Sequence, residues 1–158
     1  MENQKVAIIR LRGANKLKKK IEETMKMLRL YNKNTCIIVS NTDSILGMIR
    51  KIKDYVTWGE IDEETFKMLL GKRGKIIGNK PLTEEYFKSN AKMDFASFAK
   101  EFFALKISIK DIPGLKQYFR LKPPTGGFEK YGLKKPFSMG GSLGYRKEKI
   151  NELIRKML

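Results

Sequence analysis

Three adjacent carboxylate pairs, Glu22-Glu23, Glu63-Glu64 and Glu84-Glu85, are the first candidates for acid–base or metal chemistry in this sequence. Neighbours on a helix do not point together, and each pair falls in a stretch that reads as an ordinary solvated helix. Histidine is absent. That removes the usual base at neutral pH and the commonest metal ligand, so most nucleophile–base designs and zinc sites are not expected. Gly71-Lys72-Arg73-Gly74-Lys75 resembles a phosphate-cradling loop, but it lacks the spacing and the Lys-Ser/Thr ending of a nucleotide-binding P-loop. It reads as a basic turn after a helix, with Lys72 and Arg73 as candidate phosphate contacts. The single cysteine, Cys36, lies in the most apolar strand. It is expected to be an inert core thiol, and a lone cysteine excludes an internal disulfide framework and suits a reducing cytosol. These residues predict no enzyme, no cofactor, no metal site and no small-molecule substrate.

Binding chemistry is denser toward the C-terminus. Phe119-Arg120-Leu121-Lys122-Pro123-Pro124-Thr125-Gly126-Gly127-Phe128 is followed by Lys134-Lys135-Pro136-Phe137-Ser138-Met139-Gly140-Gly141-Ser142-Leu143-Gly144-Tyr145-Arg146. Glycines let a backbone pass close to phosphates while Arg and Lys neutralise them. Prolines limit the entropy lost when an extended segment orders. Phe128, Tyr131 and Tyr145 are placed to stack on unpaired bases. The stretch predicts an extension that threads along RNA.

The overall charge agrees. Thirty-four Lys and Arg oppose seventeen Asp and Glu, a formal +17 with an isoelectric point near 9.9, and such a chain collects on polyanions. Residues 1–60 carry net +7, residues 61–115 net +2 and residues 116–158 net +8. The two ends are therefore expected to face the polyanion, and the middle to face solvent or another protein. At 41% hydrophobic the chain can build an apolar core. No stretch approaches the roughly 18 consecutive apolar residues of a membrane span, and the short apolar run after Lys5 leads into Arg10 and Arg12, unlike a signal peptide. A nuclease would need a carboxylate cluster or an activated nucleophile. A membrane-surface protein would need a helix with Trp or Phe on its apolar face opposite a basic one, whereas the basic helices here turn their apolar faces to a core.

These side chains need a scaffold, and the first sixty residues read as β-α-β-α-β. Lys5 to Leu11 is a short β-branched strand. Asn15 is expected to cap a helix with Leu17, Ile21, Met25 and Leu28 on one stripe. Thr35 to Val39 reads as a second strand. Thr42 or Asp43 then caps a helix with Ile45, Leu46, Ile49 and Ile52 inward, and Val56 to Ile61 closes the unit. Gly47 inside that second helix costs up to about 1 kcal/mol relative to Ala, which a close approach of another backbone or a phosphate, or tight packing, would explain. Asp62-Glu63-Glu64 and Thr83-Glu84-Glu85 mark helix starts. Phe95, Phe98, Phe102 and Leu105 are core candidates, and a last helix from about Lys147 to Leu158 turns Ile150, Leu153, Ile154 and Met157 inward.

Ile9-Arg10-Leu11-Arg12-Gly13, Thr24-Met25 to Leu28-Arg29-Leu30, and Gly47-Met48-Ile49 to Asp54-Tyr55-Val56-Thr57-Trp58-Gly59-Glu60-Ile61 carry a family resemblance. So do Phe119-Arg120-Leu121, Pro123-Pro124, Gly126-Gly127 and the run from Gly140 to Arg146. Over nearly its whole length the chain resembles the ribosomal large-subunit protein L-thirty family in its long archaeal form, whose eukaryotic counterpart is called L-seven. Bacterial members resemble only the first sixty residues or so, and eukaryotic members carry a long basic N-terminal extension not seen here, which favours an archaeal source. Lys122 stands where many relatives have His, keeping a charge but losing a ring.

The resemblance implies an α+β fold, an α/β sandwich with a β-α-β-α-β ferredoxin-like core of three strands and two helices over residues 1–61. A helical insertion over 62–115 follows, then a basic extended loop and C-terminal helix over 116–158. It implies a structural protein of the large ribosomal subunit, in the cytoplasm, with large-subunit rRNA and neighbouring ribosomal proteins as partners and no membrane. An extra-ribosomal RNA-binding or rRNA-processing role is the alternative. Arg10, Arg12, Lys16, Lys18, Lys19, Arg29, Arg50, Lys51 and Lys53 are the expected RNA contacts from the core, joined by Lys72 and Arg73 from the insertion. Arg120, Lys122, Thr125, Gly126, Gly127, Phe128, Lys134, Lys135, Tyr145 and Arg146 are expected to follow the RNA through the tail.

Overall fold

The computed structural model describes residues 4–13 and 15–158. The first unit forms as β1 (Lys5–Arg10), α1 (Lys19–Met27), β2 (Thr35–Ser40), α2 (Asp43–Ile52) and β3 (Val56–Glu60). Three helices follow, α3 (Glu63–Arg73), α4 (Glu84–Ala91) and α5 (Phe95–Phe103), then the short strands β4 (Tyr118–Arg120) and β5 (Gly144–Tyr145), and finally α6 (Ile150–Met157). The sheet has five strands, not three, in the order β4-β2-β1-β3-β5. Both added strands come from the tail. β4 pairs antiparallel with β2 and β5 pairs parallel with β3, so the tail covers what would otherwise be two bare sheet edges. Strands of three and two residues are too short to show an alternating pattern, which is why three strands were expected.

Both faces of the sheet are covered. Val6 and Ile8 of β1 join Ile37, Met25, Leu28, Ile49 and Ile52 in a core beneath α1 and α2. Ala7 and Ile9 point the other way, with Leu11, Cys36 and Ile38, into a core formed by the insertion and α6. This side is built on phenylalanines. Phe66 stacks on Phe102 at 4.6 Å and Phe87 meets Phe98 edge-on at 5.3 Å. Fully burying one such ring is worth about 1.5–3 kcal/mol. Every residue of β1 is buried, the pattern of a strand covered on both sides.

Thr42, Asp62 and Thr83 cap α2, α3 and α4, each side chain accepting from a backbone N–H three residues on. α1 departs from expectation. It starts at Lys19 after Lys18, without a side-chain cap, and not at Asn15. Leu105 is also not core. It is 41% exposed because α5 has ended: Lys106 N–H donates to Glu101 C=O, Leu105 N–H donates to Phe102 C=O, and Leu105 takes φ +61°. These bonds form a Schellman stop. Gly47 has open space where a Cβ would stand, so among the described residues neither another backbone nor tight packing accounts for it.

Candidate nucleic-acid interface

β1 and β4 end at the same end of the sheet where β2 and β3 begin, because β2 runs antiparallel to β1 and β4 and β1 antiparallel to β3. Arg12 follows β1 there, its guanidinium over the Tyr55 ring at 5.5 Å and donating to Asp54 C=O at 3.3 Å. Arg120 and Lys122 follow from β4, both exposed. Nearby, Lys18, Lys19 and Lys20 at the start of α1 meet Lys51 from the last turn of α2 around a groove of about 590 Å³, with Ile21 and the 70%-exposed Met27 in its lining. Arg50 and Lys51 sit where the C-terminal end of the α2 dipole favours cations, and Lys53 is exposed just beyond. Lys16 and Arg29 are exposed in left-handed turns flanking α1.

The tail is tied to the end of α6. Lys122 N–H donates to Met157 C=O at 2.9 Å and Thr125 N–H to Lys156 C=O at 2.8 Å. Gly126 and Gly127 then turn a corner with φ of +82° and +81°, and nothing among the described residues would meet a Cβ at either. Lys134 and Lys135 are exposed beyond it. Lys72 is exposed in the last turn of α3. Arg73 is half-buried beside it and donates to the Leu158 carbonyl. Among the described residues, none of Lys18, Lys19, Lys51, Lys53, Arg120, Lys122, Lys134 and Lys135 is ion-paired with a carboxylate.

Two of the expected contacts lie buried. Arg10, 3% exposed, donates to the carbonyls of Leu30 at 2.7 Å, Tyr31 at 2.9 Å and Arg12 at 3.0 Å. Its position in β1 points it inward, where it ties the α1–β2 loop to the sheet. Arg146, also 3% exposed, donates to Glu129 Oε1 at 2.6 Å, Thr57 Oγ1 at 2.8 Å and Ser142 C=O at 2.7 Å, over the Phe137 ring at 4.8 Å. Burial raises the pKa of Glu129, but hydrogen bonds from Ser142 and Arg146 outweigh it and hold the carboxyl below its ordinary value. Both arginines shape the protein from inside.

The aromatic candidates separate as well. Phe128 is half-buried against the insertion-side core. Tyr145 is exposed, but its phenol donates to Glu60, and that bond together with burial pushes its pKa up to about 12. Tyr131 is 47% exposed. Cys36 is fully buried and its thiol is pushed up to about 12 by burial. Lys5 was not singled out from sequence. It is 7% exposed, donates to Ser40 Oγ at 3.0 Å and lies 4.2 Å over the Phe102 ring, with its pKa lowered by burial. Only its place at the start of a strand covered on both sides could have signalled this. Lys20, exposed on α1, also lines the α1 groove.

The far end of the sheet differs in sign. Glu60, Asp62, Glu63, Glu148 and Glu152 line a hollow of about 790 Å³ where β3 ends. Among the described residues no group of three or more acidic, His or Cys side chains is arranged to hold a metal ion, and no helix is long and apolar enough to cross a membrane.

These features define a basic α+β protein built around one sheet, with exposed, unpaired cations at one end of it, on α1 and α2, and along an irregular tail. The sequence pattern of the family described as Ribosomal protein L30p/L7e matches residues 6–56. The chain is 49% identical to the large ribosomal subunit protein uL30 of Nanoarchaeum equitans, over 96% of this chain and 97% of that one. It is 47% identical to the uL30 of Methanococcus maripaludis, covering 96% and 98%, and 44% identical to that of Methanopyrus kandleri, covering 94% and 100%. The chain belongs to this family of ribosomal proteins.

Proposed function

We propose that the protein is a structural, non-catalytic constituent of the large ribosomal subunit, in the cytoplasm, that binds large-subunit rRNA mainly through phosphate and ribose. The observation that carries this reading is the set of exposed, unpaired cations at one end of the sheet, on α1 and α2, and along the tail. So many unneutralised like charges destabilise a compact chain by self-repulsion, which a bound polyanion offsets. Arg12, Lys16, Lys18, Lys19, Arg29, Arg50, Lys51 and Lys53 contact the RNA from the core, and Lys72 from the insertion. Arg120, Lys122, Lys134 and Lys135 follow phosphates through the tail, where Thr125 and the open backbone of Gly126 and Gly127 permit close approach. Arg10, Arg73 and Arg146 hold the surfaces that carry these groups. The uL30 relatives are large-subunit proteins by name, which supports neighbouring ribosomal proteins as further partners.

Neutralising about 6–10 phosphates makes affinity fall about 10³–10⁵-fold between roughly 50 and 200 mM salt, by analogy with duplex DNA. A salt titration of the full chain against large-subunit rRNA fragments tests this, and a flat titration refutes it. Sedimentation of the protein with the large subunit from its host is the complementary check.

A further inference from the structure

We propose that Tyr131 is a stacking platform for an unpaired nucleobase, an inference that rests on the RNA-binding reading above and adds a base contact to its phosphate contacts. Of the three tail aromatics open to such a role, Phe128 is packed against the core and Tyr145 is hydrogen-bonded to a carboxylate that repels phosphate. Tyr131 alone combines an exposed ring with flanking cations: Lys135 Nζ lies 4.5 Å and Lys130 Nζ 5.6 Å from the ring centroid.

The ring is held ready. Tyr131 N–H donates to Gly140 C=O at 3.2 Å, and Ser142 N–H donates to Gly132 C=O at 3.0 Å, so the backbone is pinned on both sides of the side chain. Gly140, at φ +80°, lets its backbone reach the ring edge, where a Cβ would stand 2.9 Å from Tyr131 Cδ2. A ring fixed in this way loses little freedom when a base stacks on it. Base–aromatic stacking exceeds the lysine–ring attraction of an exposed site, so an arriving base displaces an ammonium from the ring, and the displaced lysine reaches the adjoining phosphate.

The test uses the full chain with single-stranded oligoadenylate and with its abasic counterpart, equal in length and charge, at one fixed salt concentration. The wild type should prefer the base-bearing strand by about tenfold, the scale of one stacked base. Tyr131→Ala should abolish the preference and Tyr131→Phe should keep it, with melting curves showing that both variants are folded. Lys130→Gln with Lys135→Gln should weaken both strands together and flatten the salt dependence. Equal binding of the two strands by the wild type, or a preference that survives in Tyr131→Ala, overturns the platform and leaves phosphate binding standing. Failure to bind either strand overturns the platform, and the rRNA salt titration then decides separately whether the phosphate contacts stand.

Discussion

The two basic ends of the chain carry nearly the same surplus charge, +7 over residues 1–60 and +8 over residues 116–158, yet they are held in shape by different means. In the first region Lys19, Lys20, Lys26, Arg50 and Lys51 ride on α1 and α2, whose inner faces rest on an apolar core. In the second, Lys122, Lys130, Lys134 and Lys135 lie between β4 and β5 on backbone that forms neither α-helix nor strand, and a polar knot takes the place of a regular helix face. Arg146 gathers Glu129, Thr57 and the Ser142 carbonyl at that knot, and Ser142 donates a second hydrogen bond to Glu129. Hydrophobic packing is non-directional and survives the loss of one surface charge. A buried ion pair is directional, and removing one partner strands the other. The same kind of surface can therefore be robust in one place and dependent on a single side chain in another.

Arg146→Met should separate the two regions most sharply. Breaking a buried pair costs about 3–5 kcal/mol, and because Glu129 keeps 30% side-chain exposure the lower end, about 3 kcal/mol, is expected. Denaturant unfolding measures it, and limited proteolysis should move its first cuts into residues 121–143. A variant as stable and protease-resistant as the wild type would mean that the tail holds itself without the knot. Acid should act in the same place. Glu129 has a folded pKa below its unfolded one, so its contribution is present above the ordinary carboxylate range and is lost as pH falls through the lowered folded value. Protection of the tail should persist through mildly acid pH and disappear only in stronger acid.

Arg10→Met is the matching change in the first region. It leaves the Leu30, Tyr31 and Arg12 carbonyls without this donor, at a cost of about 2 kcal/mol, and no carboxylate is stranded. Proteolysis should leave α1 and α2 protected, since their core is untouched. The surface cations then test whether the regions do the same work despite their different construction. Arg120→Gln with Lys122→Gln in the tail, and Lys51→Gln with Lys53→Gln beside α2, should each change stability by no more than about 0.5 kcal/mol. Each pair should also reduce the salt slope of rRNA binding by about 2. A slope altered by one pair only would show that a single region meets the RNA.

The first region was nearly legible in the sequence because its residues repeat with helix and strand periods. Thr42 and the inward stripe ending in Ile49 and Ile52 stand where the spacing puts them, as do, in the second region, the inward residues of α6 alone. The second was not, for physical reasons. Three residues in β4 and two in β5 give no alternation to read. Arg146 looks like every other arginine until Glu129, seventeen positions earlier, is brought beside it. Arg10 was readable in principle, as a strand residue in a run buried throughout, but a charged side chain so near Arg12 reads as surface. The phosphate-seeking residues were found by type, and sequence could not separate those that face outward from those spent on the protein's own carbonyls.

Gly47 offers the smallest effect and the finest test of the first region. A glycine inside a helix costs up to about 1 kcal/mol relative to alanine, and here the space a Cβ would occupy is empty. Nothing among the described residues offsets that cost, so Gly47→Ala should raise the stability of the free protein by up to about 1 kcal/mol, measured as a shift in the denaturation midpoint. Close approach of a phosphate to α2, beside Arg50 and Lys51, would supply the missing reason, since an added methyl would hold the RNA backbone away. The variant should then be more stable alone and bind rRNA more weakly. If it gains stability and binds unchanged, the α2 surface around Gly47 does not touch RNA, and the cations of the first region act from α1 and the loop after β1 instead.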